Sequence, residues 1–118
     1  MKTVKFNLKD PKSDKETYII MRCNFRYISE ISKEIIVIYT GLKIHPKNWL
    51  PKKQSASENL KKFPLGVQIN FEIHKRENSS RLTFQYFEKA QRVFTKEEFK
   101  AEYFQRLSND HRTLHKSF

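Results

Sequence analysis

Apolar and polar residues alternate strictly over three segments in the first half of the chain, and this period of two predicts three half-buried strands. The first is Val4-Phe6-Leu8, interleaved with Lys5, Asn7 and Lys9. The second runs from Tyr18 to Tyr27. One of its faces is Ile19, Met21, Cys23, Phe25 and Tyr27; the other is Tyr18, Ile20, Arg22, Asn24 and Arg26. The third, about Ile35 to Ile44, sets Ile36, Ile38, Thr40, Leu42 and Ile44 against Ile35, Val37, Tyr39, Gly41 and Lys43. The first set is taken as the core face, although the opposite set is only partly polar and the contrast between the two is weaker than in the second strand. Pro11 and its turn-forming neighbours close the first strand, because proline cannot donate to a sheet ladder.

From about Pro64 the period lengthens. Ile69, Ile73, Arg76, Ser80, Phe84 and Phe87 recur at steps of three and four, predicting one long helix to about Gln91. Asn78-Ser79-Ser80 is a stretch of mediocre helix formers and a candidate break. Thr95-Lys96-Glu97-Glu98 reads as a capping box that opens a short second helix over Phe99, Tyr103, Phe104 and Leu107. The tail from Ser108 to Phe118 has no clear pattern. The fold expected is α+β: a three-stranded antiparallel sheet packed on a long C-terminal helix, with a short second helix near the end.

Composition sharpens this picture. The chain has 118 residues, enough for one ordinary domain, and its 37% hydrophobic and 14% aromatic content supports a modest core. The net charge is +11, and it is unevenly spread. Residues 1–62 hold 14 basic and 6 acidic side chains, a net +8, whereas residues 63–118 net only +3. A basic half attracts polyanions, either nucleic acid or an anionic membrane surface. No apolar run approaches a bilayer span and the N-terminus lacks a signal-peptide core. The single Cys23 excludes an internal disulfide and fits a reducing cytoplasm.

Motifs for catalysis are missing. His111 and His115 have helical-pair spacing, but no acid or Cys joins them at ligand spacing. There is no Gly-rich phosphate loop, no local nucleophile–base pairing and no obvious carboxylate pair. What remains is the outward face of the strands. Lys5, Asn7 and Lys9 would lie beside Arg22, Asn24 and Arg26, joined by Tyr39 and Lys43. Arg can bind guanine bidentately and Asn can bind adenine in the major groove, while lysines such as Lys12, Lys15, Lys33, Lys47, Lys52 and Lys53 meet phosphates. The plainer alternative is a solvated sheet face.

The segment Tyr39-Thr40-Gly41-Leu42-Lys43-Ile44-His45-Pro46-Lys47-Asn48-Trp49, followed by Lys52-Lys53-Gln54, weighs between the two. It resembles the arm-type DNA-binding domain that precedes the core-binding and catalytic domains of many tyrosine recombinases, the integrases of phages and conjugative elements. Asn70 at a helix start and the Thr95-x-x-Glu98 cap fit the same order of elements, and the likeness covers roughly Val4 to Leu107. It implies sequence-specific binding of double-stranded DNA at arm sites through the open sheet. Lys5, Asn7, Lys9, Arg22, Asn24, Arg26, Tyr39 and Lys43 become the DNA-binding candidates, with Arg22, Asn24 and Arg26 foremost. Gly41, Pro46 and Trp49 would shape the scaffold.

The implied partners are double-stranded DNA, the remaining integrase domains and other integrase protomers, with no membrane, no cofactor and no metal. No enzyme activity is expected, since none of the four His is followed by Arg three residues on, as the recombinase catalytic motif requires. Residues 1–107 would form the arm domain and residues 108–118 a linker or the start of a core-binding domain, either of a longer integrase or of a truncated reading frame. Two other readings stay open. One is a protein-interaction module docking through the Phe-rich helix face of Phe84, Phe87 and Phe94. The other, weaker one is an RNA-binding sheet, disfavoured because the strands show no paired surface aromatics.

Overall fold

The structure, a computed structural model, describes residues 2–25 and 35–116, with side chains over 4–24 and 35–109. Strands β1 (Lys2–Leu8), β2 (Thr17–Phe25) and β3 (Ile36–Ile44) form one antiparallel sheet in the order β1-β2-β3. A two-residue hairpin, β4 (Trp49–Leu50) with β5 (Ser55–Ala56), follows, then helices α1 (Gly66–Lys89) and α2 (Lys96–Lys116). The class is α+β. The chain divides into two compact units, Met1–His74 and Lys75–Phe118, with the boundary inside α1.

In the first unit the alternating pattern is realised as expected. Phe6, Leu8, Ile19, Met21, Cys23, Ile36, Ile38, Thr40 and Ile44 are buried, so the third strand faces the way its weaker pattern pointed. Leu42, expected with them, is only half-buried. The cause is a bulge. Tyr18 pairs with Lys43, but Ile20 pairs with Tyr39, so Thr40, Gly41 and Leu42 all stand opposite Ile19. Thr40 fills the broken ladder: its hydroxyl donates to the carbonyl of Ile19 at 2.7 Å and accepts from the Leu42 amide at 3.1 Å. Gly41 has φ +80°, and a Cβ there would meet nothing within 4 Å. The glycine therefore serves the backbone turn and not a close approach.

Beyond β3, His45 caps a single 3-10 turn at Pro46–Asn48 and delivers Trp49 into the buried set. The His45 Nδ1 accepts from the Lys47 amide, which leaves Nε2 to donate to the carbonyl of Asp14 at 3.1 Å. Gln54, with φ 52° in the β4–β5 turn, accepts a 2.8 Å hydrogen bond from the Phe6 amide through Oε1. That bond occupies a donor on the free edge of β1, a position that invites unwanted strand pairing when left open. Asn70 of α1 grips Ala56 from both sides. Its Oδ1 accepts from the Ala56 amide at 2.7 Å, and its Nδ2 donates to the Ala56 carbonyl at 3.0 Å and to Glu58 at 2.7 Å.

In the second unit α1 continues without a break through Asn78-Ser79-Ser80. The hydroxyls that weaken helix propensity are turned back onto the helix, Ser80 donating to the Glu77 carbonyl and Thr83 to that of Ser79, and Ser79, Ser80 and Thr83 are buried. The helix ends on Gln91, whose φ of 51° lets the Arg92 amide reach the Phe87 carbonyl at 3.2 Å. The capping box is present: the Glu98 amide donates to Thr95 Oγ1 and the Thr95 amide to Glu98 Oε1, both at 3.1 Å. Phe87 stacks on Phe94 at 4.7 Å, and Phe94 lies 5.7 Å from Phe99. The second helix is not short. It has 21 residues and runs to Lys116, through a tail in which the sequence shows no clear pattern; Arg106 and Glu102 pair one turn apart along it.

Candidate nucleic-acid interface

The open face of the sheet gathers most of the expected site. Side chains at Lys5, Asn7, Lys9, Tyr18, Ile20, Arg22, Asn24, Val37, Tyr39 and Lys43 share it by strand alternation and register. Among its described residues there is no acidic side chain. Arg26 lies outside the described residues, as does Lys33. The site therefore rests on β1, β3 and β2 up to Asn24.

Lys5 stands directly opposite Arg22 in the register. Like charges at facing positions destabilise a sheet, so this pairing favours an anionic ligand over structural economy. Arg22 is also held. Its Nε donates to Asn7 Oδ1 at 3.2 Å across the strands. The two terminal nitrogens bond no described residue, and they are the donors that a bidentate acceptor requires. Asn7 thus positions Arg22 and has its own oxygen occupied. Asn24 is less available: its Oδ1 is buried and has no hydrogen-bond partner. As placed, it cannot offer an adenine both atoms of its amide.

At the other end of the face two tyrosines meet. Tyr18 and Tyr39 are exposed, with ring centroids 6.1 Å apart and planes at 64°. The ammonium of Lys43 lies 4.9 Å from the Tyr18 ring centre and that of Lys9 lies 5.4 Å from Tyr39. Between the tyrosines and Arg22 sits Ile20, which is 5% exposed although it belongs to the outward face. Its cross-strand neighbours Asn7 and Tyr39 account for that cover. The expectation that the strands lack paired surface aromatics is therefore corrected. Tyr18 and Tyr39 are far apart in sequence, and the β2–β3 register, which sets Tyr39 opposite Ile20, brings them together.

The alternative docking surface fares differently. Phe84, Phe87 and Phe94 are all 9% exposed or less. Their rings are spent on internal packing, with Arg92 set 5.3 Å from the Phe87 ring centre. These three side chains are therefore buried and do not form an exposed surface. Among the described residues no group of three His, Cys, Asp or Glu could hold a metal ion. The side chains of His111 and His115 lie outside the described residues. No helix among the described residues is long and apolar enough to cross a membrane.

No protein family, curated protein or solved structure matches the chain.

Proposed function

We propose that the protein binds double-stranded DNA by presenting the open face of its three-stranded sheet to the major groove. In this reading it is the non-catalytic arm-site domain of a tyrosine recombinase, acting in the cytoplasm in the integration of a mobile element beside other integrase domains and protomers. The observation that carries the proposal is the Lys5–Arg22–Asn7 group: two opposed cations, one of them oriented by an amide, on a face without acids. Arg22 reads a guanine edge, since its free terminal nitrogens match the N7 and O6 acceptors. Lys5, Lys9 and Lys43 on the face, with Lys12, Lys15, Lys47, Lys52 and Lys53 around it, meet phosphates and set the register.

Fluorescence anisotropy with labelled duplexes from the ends of the host element, at several salt concentrations, tests this. With five or six phosphate contacts, log affinity falls with log salt at a slope of about −5. Arg22→Ala costs about 1–3 kcal/mol and relaxes discrimination at one base pair. A flat salt response, or equal affinity for random duplex, overturns the arm-site reading.

A further inference from the structure

The tyrosine end of the face has features that a groove-reading surface does not need. Two aromatic rings are exposed side by side, and each carries a lysine ammonium over it. Next to them β3 leaves a gap. Gly41 falls between Tyr39 and Lys43 on the outward-facing positions, it is exposed, and its missing Cβ opens onto free space. Thr40 holds that backbone in place from the buried side through its bond to Ile19. The outward side of β3 is therefore open at Gly41, in a stretch flanked by Tyr39 and Lys43, while the paired tyrosines and their two ammonium groups stand exposed on the same face.

A planar ring can lie against an exposed tyrosine face. Bases in duplex DNA are stacked on each other and cannot offer their faces, whereas an unpaired base can lie against a tyrosine. Base–aromatic stacking is tolerant of sequence, and a positively charged track for the backbone is its usual companion. The lysines fit both states: with no strand bound they lie over the rings, and with one bound they move a short way to the flanking phosphates. No acidic side chain on the described part of the face opposes this.

We infer that Tyr18 and Tyr39, with Lys9 and Lys43 and the open backbone at Gly41, form a stacking site for unpaired nucleobases in single-stranded nucleic acid. The site shares its sheet with the duplex reading but does not depend on it. Arg22 and Lys5 serve paired DNA, and the tyrosines serve a strand that has been opened.

The test uses the full chain and fluorescein-labelled oligo-dT and oligo-U of twelve nucleotides, beside a blunt duplex. A second oligo-dT carries one 2-aminopurine, whose emission is quenched on stacking. The wild-type protein binds single strands and quenches the probe. Tyr18→Leu with Tyr39→Leu lowers single-strand affinity on the order of a hundredfold, about tenfold per ring. Tyr18→Phe with Tyr39→Phe keeps both affinity and quenching, since the stacking faces remain. Circular dichroism confirms that both variants keep the fold. Preference for oligo-dT marks a DNA strand and preference for oligo-U an RNA strand; either supports the site if the leucine pair abolishes it. Equal single-strand binding by the leucine pair would mean attraction by charge alone and overturns the inference. Duplex binding without single-strand binding also overturns it and leaves the arm-site reading intact. Ring-dependent single-strand binding without duplex binding has the opposite result.

Discussion

Cys23 sits in the middle of β2 with no exposed surface, and burial pushes its thiol from the ordinary 9.0 up to about 12. The thiolate that would form in an unfolded chain is excluded from the folded one. Between those two values the folded state holds a proton that the unfolded state has lost. The thiol's contribution to stability is thus intact below 9.0 and is lost as pH rises towards 12, by at most about 1.4 kcal/mol per pH unit. Urea unfolding of the wild type and of Cys23→Ala at pH 8 and pH 10 measures this. The stability gap between them narrows by about 1 kcal/mol at the higher pH, from the same linkage. Parallel pH slopes in the two proteins would show that Cys23 does not titrate this way. The burial of Cys23 was legible from alternation alone, because its neighbours at steps of two are Ile19, Met21 and Phe25. The arrest of Asn24 Oδ1 in a buried position was not, since alternation gives the face of a side chain and not its rotamer.

At the scale of elements, the join between the small hairpin and the first turn of α1 depends on one amide. Asn70 satisfies both the donor and the acceptor of Ala56, which is itself 1% exposed. Asn70→Ala leaves two buried backbone groups unpaired and costs about 2–4 kcal/mol. Thermal unfolding measures the loss, and a cost below that of an ordinary surface substitution would deny the hydrogen bonds their role. Gly66 adds a steric condition at the same join, as a Cβ there would lie 1.7 Å from the Ser57 carbonyl oxygen. In sequence Asn70 stood out only through resemblance to a family. Its physical task became clear with its partner, which lies fourteen residues away. The capping box at Thr95 and Glu98, by contrast, was plain in sequence because both partners lie within one turn. There the Thr95 amide, first, and the Arg92 guanidinium hold the Glu98 carboxyl below its ordinary value.

For the whole molecule, charge distribution is the property that matters most for binding. The unit that carries the sheet holds the excess of cations, and loop residues such as Lys12 and Lys15 are exposed around the β1–β2 turn. Arg22 and Lys12 therefore differ in kind. Lys12→Ala weakens binding to every duplex alike and reduces the magnitude of the salt slope by about 1, because it removes one phosphate contact and no base contact. Anisotropy titrations with matched and scrambled duplexes distinguish the two; a Lys12 effect confined to one sequence would contradict the assignment.

The three strands of the main sheet and their buried faces, the capping box and the basic bias of the first half follow from the sequence by itself; the β4–β5 hairpin does not. Each depends on local period or on a count, and the hydrophobic effect sorts alternating residues whatever lies across from them. Pairing across the sheet was decided only in three dimensions. The β2–β3 register sets Tyr39 opposite Ile20 and beside Tyr18, the bulge at Thr40–Leu42 shifts Lys43 opposite Tyr18, and Ile20 is covered on a face that alternation assigns to solvent. The fate of the Phe-rich helix face was decided there too, since helical spacing marks an apolar stripe but not what covers it. Register and packing join residues distant in sequence, and those joins set the Arg22 end of the open face apart from its tyrosine end.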